Sequence, residues 1–204
     1  VYGGRYGPYS VPSDEVRDDV WRYDVATGTW AEVAQAGTRP SARNSFALSP
    51  STQSFLGDFP FLLFGGRCST GPTAYGPCAG TFGATLSADG ATLTWEAFAG
   101  AEPSGRYGGG LTDRYQGQAT GYPLWSGEGA GGVPLAELWR FNESEPPPLV
   151  SDGAWEQLVP PGEPPAVVYP VVGHLDSTDV SYGGIADSGG YSAACVLHDA
   201  FGDG

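Results

Sequence analysis

The sequence predicts an all-β chain built from repeated four-stranded antiparallel units. Three observations carry this. An apolar run ending in a pair of small residues recurs at near-constant spacing. Each recurrence is accompanied by a Trp-bearing stretch of alternating character. Gly and Pro, 33 and 18 of 204 residues, sit where strands should end and turn.

The run is clearest as "VYGGR" at 1–5 and "LLFGGR" at 62–67; it returns as "PLWSGE" at 123–128 and "VSYGGI" at 180–185. The pairs begin at Gly3, Gly65, Ser126 and Gly183, spaced 62, 61 and 57 residues apart. A period of that size marks a repeat architecture. The first strand of each unit follows a Pro, over 45–48, 108–111 and 167–172. The second is the run into the small-residue pair. It is apolar almost throughout, as in "FPFLLF", which suits a strand buried on both faces. The third carries Tyr23, Phe82 or Phe141, and the fourth Trp30, Trp95 or Trp155. The fourth strands alternate apolar and polar residues, as an outer strand with one wet face should. The units divide the chain, read as one domain, into 1–36, 37–99, 100–160 and 161–204. Two of them share a Pro-Ser-x-Arg segment before the first strand, "PSAR" at 40–43 and "PSGR" at 103–106; the last has "PPAVV" and no Arg.

An apolar run, a Gly pair, then an aromatic and a Trp about seven positions on resembles the kelch repeat, and "YDVATGTW" at 23–30 fits it well. The resemblance extends over nearly the whole chain and is strongest in 1–67. It implies a β-propeller of four-stranded antiparallel kelch-type blades, about 3.5 of them here. The spacing near 60 exceeds the roughly 50 of kelch repeats, so long loops are expected. Ser126 departs from the motif by replacing a Gly. "VLHDAFGDG" at 196–204 aligns with "WRYDVATGT" at 21–29, which puts the next Trp at position 205. The register therefore has both termini falling inside blades, and the expectation is a segment of a longer propeller of about six to eight blades.

The formal net charge is −14, all nine basic residues are Arg, and no basic cluster occurs, so phosphate backbones and anionic membranes are not expected partners. No run approaches the roughly 20 apolar residues that span a bilayer. Without Lys, Schiff-base chemistry is closed to the segment. Cys68 and Cys78 bracket "CSTGPTAYGPC", a loop that a disulfide would close; Cys195 lies in an apolar run and reads as a buried thiol. "NES" at Asn142 is a glycosylation sequon. Together the loop cysteines and the sequon point toward an extracellular or other oxidising compartment.

In kelch proteins the loops before the first strand and after the second form a ligand face. That resemblance implies binding positions at Arg43, Asn44, Arg106 and Tyr107, before first strands, and at Arg5 and Arg67, after Gly pairs. Arg presents a fork of donors suited to carboxylates, and equivalent arginines in some kelch domains hold acidic peptides. The competing reading has Arg43 and Arg106 pairing with neighbouring Asp or backbone carbonyls to brace the units. The loop after Asn142 belongs to the opposite face, so a glycan there would leave the Arg face clear. Copper radical oxidases, which resemble kelch domains, need two His, two Tyr and a cross-linked Cys. His174 and His198, the only histidines, fall in different strand types with nothing local to join them. "SGEGAGG" at 126–132 has neither the Lys nor the helix of a phosphate loop and reads as a turn. No catalytic residue, metal or cofactor is expected. The functional expectation is a non-catalytic protein- or glycan-binding scaffold, as a subunit of a larger assembly. The alternative is a propeller enzyme of the copper-oxidase or sugar-epimerase type with its site on the axis.

Overall fold

A computed structural model describes residues 1–6, 15–50, 61–71, 74–112, 121–142, 153–159, 166–175, 178–186 and 195–199. These residues form an all-β structure. The first sheet joins β1 (Tyr2–Tyr6), β2 (Glu15–Asp24) and β3 (Thr29–Glu32) in an antiparallel meander. Next come β4 (Ala34–Gly37), β5 (Arg43–Asn44), β6 (Ala47–Pro50) and β7 (Phe61–Phe64). They are followed by β8 (Arg67–Gly71), β9 (Ala74–Pro77), β10 (Thr81–Leu86) and β11 (Thr92–Ala97). The second sheet is the meander β6-β7-β10-β11, with β4 added in parallel on β11. The third is β12 (Gly110–Leu111), β13 (Tyr122–Trp125), β14 (Leu138–Asn142) and β15 (Ala154–Leu158). The last region contains β16 (Val167–Val168), β17 (Val171–Leu175), β18 (Thr178–Tyr182), β19 (Ile185–Ala186) and β20 (Cys195–Asp199), in sheets β17-β18-β20 and β16-β19. Among the described residues there is no α-helix, no sheet closes into a barrel, and no helix is long and apolar enough to cross a membrane.

The expected strands are present, with one systematic difference. Each first strand is broken by a residue in the left-handed region: Ser45 (φ 52°), Gly108 (φ 63°) and Tyr169 (φ 60°). The bend divides the strand between two ladders. After it, the chain pairs with the apolar second strand, as in β6–β7 and β12–β13. Before it, the chain pairs with the segment beyond the small-residue pair: β5 with β8, Tyr107 with Glu128, β16 with β19. The second strands bend in step. Their pairs take φ of 56° and 112°, 65° and 120°, 51° and 105°, and 69° and 109° in the four units. Here composition follows from backbone geometry, since such values suit Gly and strain most other residues. Ser126 adopts the same left-handed turn without being Gly.

Fourth-strand tryptophans join neighbouring units. Trp95 lies 5.0 Å from the Tyr2 ring of the preceding unit, and its Nε1 donates to Gln35 Oε1 at 2.8 Å. Trp155 lies 5.1 Å from Phe64 of the preceding unit and donates to Thr81 Oγ1 at 2.8 Å. Each contact anchors one of the two cores: Leu63, Ala84 and Leu93 around the first, Leu62, Leu111, Leu124 and Phe141 around the second. Backbone hydrogen bonds add a second set of links. Tyr169 N donates to Gly108 O (2.6 Å), and Gly108 N to Ser45 O (2.7 Å), so the three bends are bonded in series.

Candidate functional site: the Arg67 cluster

The Pro-Ser-x-Arg segments build the frame beneath the site. Arg43 and Arg106 are 3% and 1% exposed. In Arg43, Nε donates to Ser41 O (2.9 Å), Nη2 to Ser41 Oγ (3.1 Å), and Nη1 to Gly65 O (2.8 Å) and Ala79 O (3.3 Å). Arg106 repeats this on Ser104 O (3.1 Å), Ser104 Oγ (3.2 Å) and Ser126 O (3.3 Å). Its Nη2 also meets Glu137 Oε2 at 2.6 Å. In both copies the Ser two positions earlier steers the guanidinium onto the carbonyl of the left-handed residue in the next strand. Burial lowers both guanidinium pKa values; Tyr2 and Glu102 oppose this at Arg43, as Glu137 does at Arg106, and with such high starting values both remain charged. This is the bracing arrangement.

The remaining positions are arranged differently. Asn44 and Arg67 are directly opposite in the β5–β8 ladder. The Arg67 guanidinium lies 5.9 Å from the Tyr75 ring centroid and 5.8 Å from that of Tyr107. Among the described residues no carboxylate or carbonyl accepts from it. Tyr107 donates its hydroxyl to Glu128. Burial, that hydrogen bond and the Glu128 charge raise the Tyr107 pKa against the pull of Arg67, so the phenol stays a neutral donor. Tyr169, half exposed, donates to Ser45 Oγ (3.3 Å), and Ser45 donates to Asn44 Oδ1 (3.0 Å). The cluster thus draws Asn44, Ser45, Arg67 and Tyr75 from the second unit, Tyr107 and Glu128 from the third, and Tyr169 from the fourth. Arg5 holds the Arg67 register position one unit earlier, in β1 opposite Val16.

Sequence reasoning missed Tyr75, Glu128, Ser45 and Tyr169. Tyr169 was available: it is two positions after Val167, as Ser45 and Gly108 are two after Arg43 and Arg106. The expected loop between Cys68 and Cys78 is a hairpin, β8–β9, closed by a Cys68–Cys78 disulfide with a Cα–Cα distance of 6.0 Å. That hairpin carries both Arg67 and Tyr75. Asn142 ends β14, and its Nδ2 donates to Glu156 Oε2 at 3.1 Å; the rest of its sequon lies outside the described residues.

The histidines are closer in register than their strand types suggested. His174 pairs with Asp179, and Asp179 with His198, so the three form one row across β17, β18 and β20. The side chains of these three residues lie outside those described; among the described side chains no group of three His, Cys, Asp or Glu could hold a metal.

No protein-family model matches the chain, and no curated protein does. A solved structure, that of YjhT, superposes with a TM-score of 0.63 at 13% identity, over 90% of this chain and 55% of that one. At this identity the likeness is one of fold. The chain spans about half the length of that structure.

Proposed function

We propose that the chain is a kelch-type propeller segment of about 3.5 blades whose Arg67 cluster binds a carboxylate on a protein or glycan, without catalysis. One observation carries this reading. Arg67 lies near the Tyr75 and Tyr107 rings, and among the described residues no acceptor takes its donors, whereas Arg43 and Arg106 are bonded to the frame. The neighbouring Tyr75 and Tyr107 rings limit its rotamers, which lowers the entropy lost on capturing a ligand. Tyr169 and Asn44 add hydroxyl and amide groups beside it. The Cys68–Cys78 bridge holds the hairpin in place and suits an oxidising compartment.

The test is binding to arrayed acidic peptides and carboxylated glycans. Captured ligands should lose at least tenfold in affinity with Arg67→Ala, recover part of it with Arg67→Lys, and weaken with rising salt. Ligands held equally well by Arg67→Ala would refute the proposal.

A further inference from the structure

A two-step hydrogen-bond chain reaches from the fourth unit to Asn44. The Tyr169 hydroxyl donates to Ser45 Oγ at 3.3 Å, and Ser45 Oγ donates to Asn44 Oδ1 at 3.0 Å. Each hydroxyl has one proton to give. A hydroxyl that accepts from a neighbour is polarised to donate in turn, so Ser45 takes the amide oxygen of Asn44 rather than its nitrogen. Tyr169 is held in place for this. Its N–H bonds to Gly108 O at 2.6 Å, and its ring lies over Gly108, where a Cβ would come within 2.9 Å of Cε1. With Oδ1 turned to Ser45, the Asn44 Nδ2 donors face away from it, and among the described residues nothing accepts from them. Asn44 and Arg67 are directly opposite across β5–β8. That pairing puts both side chains on one face, with Cβ atoms about 4.5–5.5 Å apart.

We infer that Tyr169 and Ser45 are positioning residues: they hold the Asn44 amide as a second donor, beside Arg67, for the two oxygens of a ligand carboxylate. This rests on the carboxylate reading above and adds its specificity. A carboxylate presents acceptors only, so it suits a guanidinium and an amide nitrogen side by side; a carboxamide sets its own NH2 against one of them. Without the Tyr169 hydroxyl, Ser45 Oγ is as free to accept from Nδ2 as to donate to Oδ1. The amide can then turn its oxygen outward, where it repels a carboxylate and accepts from a carboxamide. The chain of hydroxyls therefore selects an ionised acid over its amide.

Nitrogen-15 NMR of the 204-residue chain tests it, with sodium acetate and acetamide as probes at constant ionic strength. In the ligand-free parent the Asn44 Nδ2 protons should show cross-peaks to the Arg67 side chain and none to the Ser45 β-protons. Tyr169→Phe keeps the ring and the backbone bond at a half-exposed site, so it should fold, as circular dichroism will report. In this variant cross-peaks from Nδ2 to Ser45 should appear. Acetate should move the Arg67 Nε and Asn44 Nδ2 signals of the parent together. An amide divided equally between its two orientations binds acetate about twofold more weakly, and a gained hydrogen bond strengthens acetamide about threefold. The preference for acetate over acetamide should therefore fall about fivefold in Tyr169→Phe, and by nothing further when Tyr169→Phe is added to Asn44→Ala. Arg67→Ala separates the two readings: it should abolish the acetate response and leave Nδ2 without cross-peaks to Ser45. Unchanged Nδ2 cross-peaks in Tyr169→Phe, or an unchanged preference, would overturn the positioning role. A parent chain that ignores acetate would end the Arg67 reading, and the ligand-free cross-peaks would still decide which way Asn44 is held.

Discussion

Replacing Arg106 with Met keeps most of the stem volume and removes the guanidinium, and its cost can be worked out partner by partner. The carbonyl of Ser126, 3% exposed, would lose its bond from Arg106, a loss of about 1–3 kcal/mol. Ser104 is exposed, so its carbonyl and hydroxyl turn to water at little cost. The Glu137 side chain is 35% exposed and keeps its hydrogen bond from Trp139 Nε1 at 2.9 Å, which limits the ion-pair loss to about 1 kcal/mol after screening. The expected destabilisation is about 3 kcal/mol. With a urea m-value of about 2 kcal/mol/M, the midpoint should fall by about 1.5 M. Tryptophan fluorescence during urea unfolding measures it. The acid limb gives an independent check. Burial pushes the Glu137 carboxyl up, but the Arg106 and Trp139 hydrogen bonds and the Arg106 charge outweigh it, leaving the folded pKa below the ordinary 4.5. A depressed carboxylate contributes stability above 4.5 and loses it as pH falls through the folded value. The gap between the parent chain and Arg106→Met should therefore narrow in acid. A midpoint shift of under about 0.5 M at unchanged m would refute the bracing role, and Arg106 would return to the binding face.

Other outcomes follow from the same geometry. Gly65→Ala should cost about 3 kcal/mol in urea unfolding, combining left-handed strain with a Cβ only 2.5 Å from Arg106 O. Ser126→Gly, at the same position one unit later, should stabilise by about 1 kcal/mol. Burial, aided by Asp18 against Arg43 and Arg39, pushes the Tyr2 phenol up to about 12. Its contribution should be complete below pH 10 and vanish as pH rises to 12, a loss in alkaline unfolding that Tyr2→Phe removes. Opening the Cys68–Cys78 bridge by a double Ala substitution should cost about 2–3 kcal/mol in the same assay and weaken ligand capture through Arg67.

The sequence revealed most where backbone geometry restricts residue choice. The paired positive-φ turns admit little but Gly, so three of four second strands announced themselves, and Ser126 was traceable by spacing. The tryptophans were legible because their size and period mark contacts between sheets. Orientation was not. "PSAR" and "PSGR" disclose an Arg after a turn, but whether it faces solvent or the frame depends on carbonyls 20–22 residues away. The β8–β9 hairpin was hidden by Gly and Pro, which read as loop until the disulfide and ladder are seen together. β4 gave no sign because its partner, β11, is nearly 60 residues distant and runs parallel.

The serial bonding of the bends at Ser45, Gly108 and Tyr169 bears on how the molecule opens. Those amide protons belong to ladders between units, so no fluctuation confined to one sheet frees them. Gly108 N–H and Tyr169 N–H should then exchange with solvent only through undocking of whole units, slower than protons at strand edges. Two amides would report unit separation directly, and the order in which they exchange would show from which end the array comes apart.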